Sequence, residues 1–225
     1  MEEKKVALKA IKIGLLGDSQ VGKTAICNAL IRAEFNPDAI STIGYVKLET
    51  KFTVKDGNEI KLILWDSAGQ ERFRSVALNA LRAVRGIVIV FDVTKKETFN
   101  NVNIWLNEIS DNFNNPCLVL FGNKVDKDKK YWEVTEDEIT KFAQDKNLVY
   151  FETSALTKKG IDEGFNYIVN EAYEKAKGIT NKNIIIEDLS KKETEEKESG
   201  GGCFGRKKKK KKVKNTEQKE GTKVK

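Results

Sequence analysis

The chain has 225 residues, with 41 Lys+Arg, 34 Asp+Glu and no histidine, for a formal net charge of +7 at pH 7. At 39% hydrophobic residues it can build a sizeable core, which excludes wholesale disorder. The lack of imidazole excludes Ser-His-Asp and Cys-His catalysis and any histidine-ligated metal. Cys27, Cys117 and Cys203 lie too far apart for a CxxC pair or a disulfide framework. No apolar run approaches the roughly 18 residues of a membrane span. The opening MEEKKVALK does not read as a signal peptide, so an intracellular setting is expected.

The charge is uneven. Residues 179–225 hold 15 Lys+Arg against 8 Asp+Glu, while the 26 and 26 of residues 1–178 cancel. The same tail has one aromatic residue, Phe204, a Gly200-Gly201-Gly202 run and seven consecutive basic residues from Arg206 to Lys212. Such a composition cannot bury enough apolar surface to order itself. The expectation is one domain over 1–178 and a disordered basic tail over 179–225.

In chain order, residues 8–17 read as a buried parallel strand, as do 87–93, 117–121 and 148–151. Residues 45–54 and 59–66 flank Asp56-Gly57-Asn58, a hairpin turn signal. Phe99, Val102, Leu106, Ile109 and Phe113 form one helical stripe, and Ile161, Phe165, Ile168 and Ala172 another. Thr135 and Glu138 form a capping-box pattern ahead of Ile139 and Phe142. Core packing accounts for every residue in these stripes. Together they predict an α/β fold: a six-stranded, mostly parallel sheet with one antiparallel strand and helices on both faces.

Gly17-Asp18-Ser19-Gln20-Val21-Gly22-Lys23-Thr24 follows the first strand and opens a helix, the context a G-x-x-x-x-G-K-[ST] phosphate loop requires. The glycines let backbone N–H groups converge on phosphate oxygens. Lys23 adds a point charge, and the Thr24 hydroxyl can ligate Mg²⁺. The motif alone leaves the nucleotide and the reaction open.

Four further segments lie in register with it: Thr42-Ile43-Gly44, Trp65-Asp66-Ser67-Ala68-Gly69-Gln70-Glu71, Gly122-Asn123-Lys124-Val125-Asp126 and Glu152-Thr153-Ser154-Ala155. Their order and spacing resemble the Ras superfamily of small GTPases over residues 8 to about 176. KLILWDSAGQERFRS and IVFDVTKKETFNNVNIWLNEI are similar to the Rab family in particular. Asp126 can accept from guanine N1–H and its amino group, which adenine cannot match. Asn123 can brace the loops and the Lys124 stem can lie over the base.

The resemblance implies that the Ala155 N–H faces guanine O6, with Ser154 and Leu156 in the same loop, and that Phe35 covers the purine. It implies a Mg²⁺ site of Thr24, Thr42 and Asp66, and a Gly69 N–H close to the γ-phosphate. Gln70 would position the attacking water beside Lys23 and Thr42. GTP and GDP with Mg²⁺ are the implied ligands, with slow GTP hydrolysis as a molecular switch in intracellular vesicle trafficking. A GTP-holding scaffold with little hydrolysis and a Ran-like nuclear carrier are the alternatives.

The implied partners are an exchange factor, a GTPase-activating protein and effectors, for a chain expected to be a monomer. Lys47 and Ala80 stand where Rab proteins carry two effector-binding aromatics, leaving Trp65, so atypical effectors are expected. Gln20 is bulkier than the family pattern. The last five residues, GTKVK, carry no CaaX signal. The basic run suits an anionic membrane surface or nuclear import, and nothing in it could read base edges, so no specific nucleic acid is expected. The expected location is cytoplasmic, peripheral on the cytosolic face of endomembranes, with the nucleus as the alternative.

Overall fold

The computed structural model describes residues 10–32, 44–67, 81 and 83–178. The chain divides into two units, 1–182 and 183–225, of which the second lies wholly outside the described residues. The strands are β1 (Ala10–Leu16), β2 (Tyr45–Thr53), β3 (Glu59–Ser67), β4 (Gly86–Asp92), β5 (Cys117–Asn123) and β6 (Val149–Glu152). The helices are α1 (Lys23–Leu30), α2 (Lys96–Asn100), α3 (Val102–Asn112), α4 (Glu136–Asp145) and α5, which covers 161–178.

The six strands lie in the order β2-β3-β1-β4-β5-β6. β1 runs parallel to β3, Leu15 opposite Asp66, and parallel to β4, Ile13 opposite Gly86. β2 pairs antiparallel with β3, from Tyr45 opposite Ser67 to Thr53 opposite Glu59. The fold class read from the sequence is the one observed.

Alternation sorts each central strand onto two cores. Ile11, Ile13 and Leu15 of β1 with Val88 and Val90 of β4 face Ile26 of α1 and Ile161, Phe165 and Ile168 of α5. Leu16, Ile87, Ile89 and Phe91 face Phe99, Val102, Trp105, Ile109 and Ile139 from α2, α3 and α4. Strands covered on both faces are apolar along nearly their whole length, which is why they read as continuous runs. Each fully buried Ile, Leu or Phe contributes roughly 1.5–3 kcal/mol.

Several strand ends differ from the sequence reading by one or two residues: β1 stops at Leu16 and β5 runs on to Asn123. The single helix expected over Phe99–Phe113 is two helices meeting at Asn101, whose side chain is drawn to Asp18, and Phe113 is extended at φ −125 and ψ 142. Trp105, absent from the expected stripe, is buried at 1% exposure, while Leu106 is only half-buried. The capping box is present: the Glu138 N–H donates to Thr135 Oγ1 and the Thr135 N–H to Glu138 Oε2 at 3.0 Å.

Candidate nucleotide site

The carboxyl ends of β1, β3, β4, β5 and β6 lie along one edge of the sheet, where open α/β sheets place their ligands. The phosphate loop leaves β1 at Leu16 and enters α1 at Lys23. Gly17 has φ 143 and Gly22 φ 101. A Cβ on Gly17 would lie 2.2 Å from the Val90 carbonyl oxygen, and one on Gly22 2.3 Å from Asn123 Nδ2. Both positions therefore need glycine for conformation and for space. Gln20 turns through the same left-handed region, at φ 65, without glycine's freedom. No acidic side chain stands in the first turn of α1, so its open N–H groups keep their attraction for an anion.

Lys23 is 5% exposed, and its Nζ donates to the Gly17 carbonyl at 2.8 Å and the Asp18 carbonyl at 2.7 Å. Burial lowers its pKa to about 8, against the opposing pull of Asp66 and Asp18. An ammonium has three donors, and two are on the loop. The Thr24 hydroxyl donates to Asp66 Oδ2 at 2.6 Å, and Asp66 is 1% exposed. A hydroxyl against a single buried carboxylate is an all-oxygen donor pair. It fits Mg²⁺, which is commonly held by one or two carboxylates together with substrate phosphates.

At the other end of the site, Asn123 joins three loops. Its Nδ2 donates to the Val21 carbonyl at 2.8 Å, and its Oδ1 accepts the Ala155 N–H at 3.2 Å. The latter N–H is the one the sequence reading aims at guanine O6. The Ser154 hydroxyl donates to Asp126 Oδ1 at 2.7 Å and accepts the Thr157 N–H at 3.1 Å, so the loop after β6 orients the carboxylate expected to choose the base. Leu156 is half exposed beside them. Lys124 has φ 70, and its Nζ pairs with Asp92 Oδ2 at 2.7 Å.

Thus Gly17, Asp18, Ser19, Gln20, Val21, Gly22, Lys23, Thr24, Asp66, Asn123, Lys124, Asp126, Ser154, Ala155 and Leu156 converge on one edge. Phe35, Thr42, Gly69, Gln70 and Ala80 lie outside the described residues.

Sequence reasoning missed three residues. Asp92, 1% exposed at the end of β4, anchors Lys124 and accepts from the Thr94 N–H and hydroxyl. Asn101 and Trp105 reach Asp18 from 83 and 87 residues away. Those two stand one helical turn apart, the one signal that they share a face.

The Ras family model matches residues 12–174 of the chain. The chain belongs to the Ras family of small GTPases. Among curated relatives it is 39% identical over 166 residues to Ras-related protein Rab-18-B of Danio rerio, covering 73% of this chain and 80% of that one. It is 36% identical over 173 residues to Ras-related protein Rab-18 of Lymnaea stagnalis, 76% of this chain and 84% of that one. It is 37% identical over 181 residues to Ras-related protein Rab11A of Lotus japonicus, 80% of this chain and 77% of that one. This Rab-like member of the family is a GTP hydrolase, and its family binds guanine nucleotides with Mg²⁺ and works with exchange factors, activating proteins and effectors. Among the described residues no helix is long and apolar enough to cross a membrane.

Proposed function

We propose that the chain is a Rab-type switch that cycles between GTP and GDP on the cytosolic face of endomembranes, with a nucleotide domain over 1–178 and a basic tail over 179–225. The observation that carries this reading is the Asn123 bridge. One side chain ties the phosphate loop, through Val21, to the loop that holds Asp126, so that phosphate and base recognition share one frame. A nucleotide that satisfies both ends binds without paying to order either.

In this reading the N–H groups of 17–24 and the remaining Lys23 donor receive the β- and γ-phosphates. Thr24, Thr42 and Asp66 hold Mg²⁺, which supplies charge neutralisation at the phosphates. Asp126 accepts from guanine N1–H and the amino group, with Ser154 keeping its carboxylate in place. Phe35 and the Lys124 stem enclose the base. Gln70 is neutral and no strong base, so its part is to align water, while the Gly69 N–H approaches the γ-phosphate. Such chemistry needs alignment and charge compensation rather than an imidazole. Unaided turnover on the order of 10⁻⁴ to 10⁻³ per second is expected, with an activating protein supplying the rest. Loss of the γ-phosphate releases the loops carrying Thr42 and Gln70.

Gln70→Leu keeps the side chain's bulk and removes its polar end. GTP should bind as before while single-turnover phosphate release slows at least about tenfold. An unchanged release rate removes Gln70 from the role.

A further inference from the structure

The Asp18 side chain is bonded to the segment where α2 meets α3. Its Oδ2 accepts from Asn101 Nδ2 at 2.8 Å and its Oδ1 from Trp105 Nε1 at 2.9 Å. Both carboxylate oxygens of a phosphate-loop residue are thus held by the α2–α3 junction. The carbonyl of the same residue accepts Lys23 Nζ at 2.7 Å. Asn101 stands where the two helices meet, and Trp105 is 1% exposed with its ring in the core beneath them. A planar carboxylate with a donor on each oxygen leaves Asp18 one orientation, and such charge-assisted bonds are the stronger kind.

We infer that Asn101 and Trp105 are positioning residues for nucleotide binding, acting through Asp18 to hold the phosphate loop in its binding shape. The loop contains one residue, Gln20, in the left-handed region without being glycine, and a free loop relaxes from such a conformation. The clamp opposes that relaxation one residue after Gly17 and keeps the Asp18 carbonyl on Lys23. It also couples the loop to α3, so whatever shifts that helix alters nucleotide release. The inference rests on the proposed nucleotide reading.

The full-length chain is loaded with a fluorescent GDP analogue and its release is followed on adding excess GDP. Trp105→Phe keeps an aromatic ring and removes the donor, and should speed release about tenfold. Asn101→Asp sets a second carboxylate against Asp18 and should speed it at least as much. Adding Asp18→Asn to Asn101→Asp restores a donor–acceptor pair with the roles reversed, and should bring release back to within about threefold of the unaltered chain. A role in packing alone predicts no such rescue.

Tight binding by the unaltered chain, with release unchanged in both single variants or with no rescue in the pair, overturns the inference alone. No binding of the analogue by the unaltered chain overturns the nucleotide reading and this inference with it. Should Trp105→Phe fail to fold, the Asn101 and Asp18 variants carry the test.

Discussion

Asp126 is an exposed carboxylate with one oxygen on the Ser154 hydroxyl, so its position is set from the neighbouring loop rather than from its own. Its proposed selectivity is a matter of donors and acceptors. Guanine offers two donors on the edge in question, whereas xanthine offers one donor and one acceptor. Asp126→Asn turns a double acceptor into an acceptor beside a donor. GTP affinity should fall at least about 100-fold while affinity for xanthosine triphosphate rises relative to it. Equal GTP titrations for the two proteins would remove Asp126 from base recognition. At this scale the sequence was informative wherever a motif is local. The eight residues 17–24 declare a phosphate loop because consecutive positions serve one ligand. Asp92, Asn101 and Trp105 were silent because each acts on a residue that only folding brings near.

Among the elements, α4 shows a local signal that folding preserves. Thr135 and Glu138 cap it reciprocally, and Lys96 of α2 pairs with Glu138 Oε1 at 2.5 Å, tying two helices at one carboxylate. The Lys96 ammonium first, then the Thr135 N–H and hydroxyl, hold the Glu138 pKa down at about 2. The folded form therefore binds fewer protons than the unfolded chain between about pH 4.5 and 2. Stability from this group is present above that window and is lost as pH falls through it. Urea unfolding across the window should show a steeper loss for the unaltered chain than for Glu138→Gln. Thr135→Ala should cost about 1 kcal/mol at pH 7. The break at Asn101 went unread for the opposite reason, since apolar spacing continues across it and only the distant Asp18 explains it.

The β2–β3 hairpin carries the surface on which Rab partners were expected to differ. Lys47 lies opposite Trp65 in the register and pairs with Glu49, which also takes Lys61 at 3.0 Å. The Tyr45 ring leans on Trp65 with centroids 5.1 Å apart. This face therefore presents one aromatic pair beside a charged row, where a patch of three aromatics was the family expectation. Buried aromatic anchors often carry about 2 kcal/mol or more each. Lys47→Phe with Ala80→Tyr should strengthen binding to at least one common Rab effector at least about tenfold, read by calorimetry on the GTP-loaded forms. Full-strength binding of several such effectors by the unaltered chain would refute this.

For the whole molecule, charge divides the sequence where the proposed nucleotide domain gives way to the proposed basic tail. Residues 1–178 are balanced, while 179–225 carry the entire excess of +7, with the densest part at Arg206–Lys212. Each basic residue near an anionic leaflet contributes about 1 kcal/mol, reduced by salt. A single electrostatic patch holds marginally, and lasting attachment takes a second signal. Cys203 stands three residues before the run and beside Phe204, where a reversible acyl chain would add that signal. Purified chain should therefore sediment with phosphatidylserine vesicles at about 50 mM salt and be released as salt rises through a few hundred millimolar. Cys203→Ser should leave this in-vitro binding unchanged and weaken membrane association in cells, where acylation is available. Replacing Lys207–Lys212 with glutamine should abolish both. Absence from anionic vesicles at low salt would refute the electrostatic half, and an unchanged Cys203→Ser distribution in cells the acyl half.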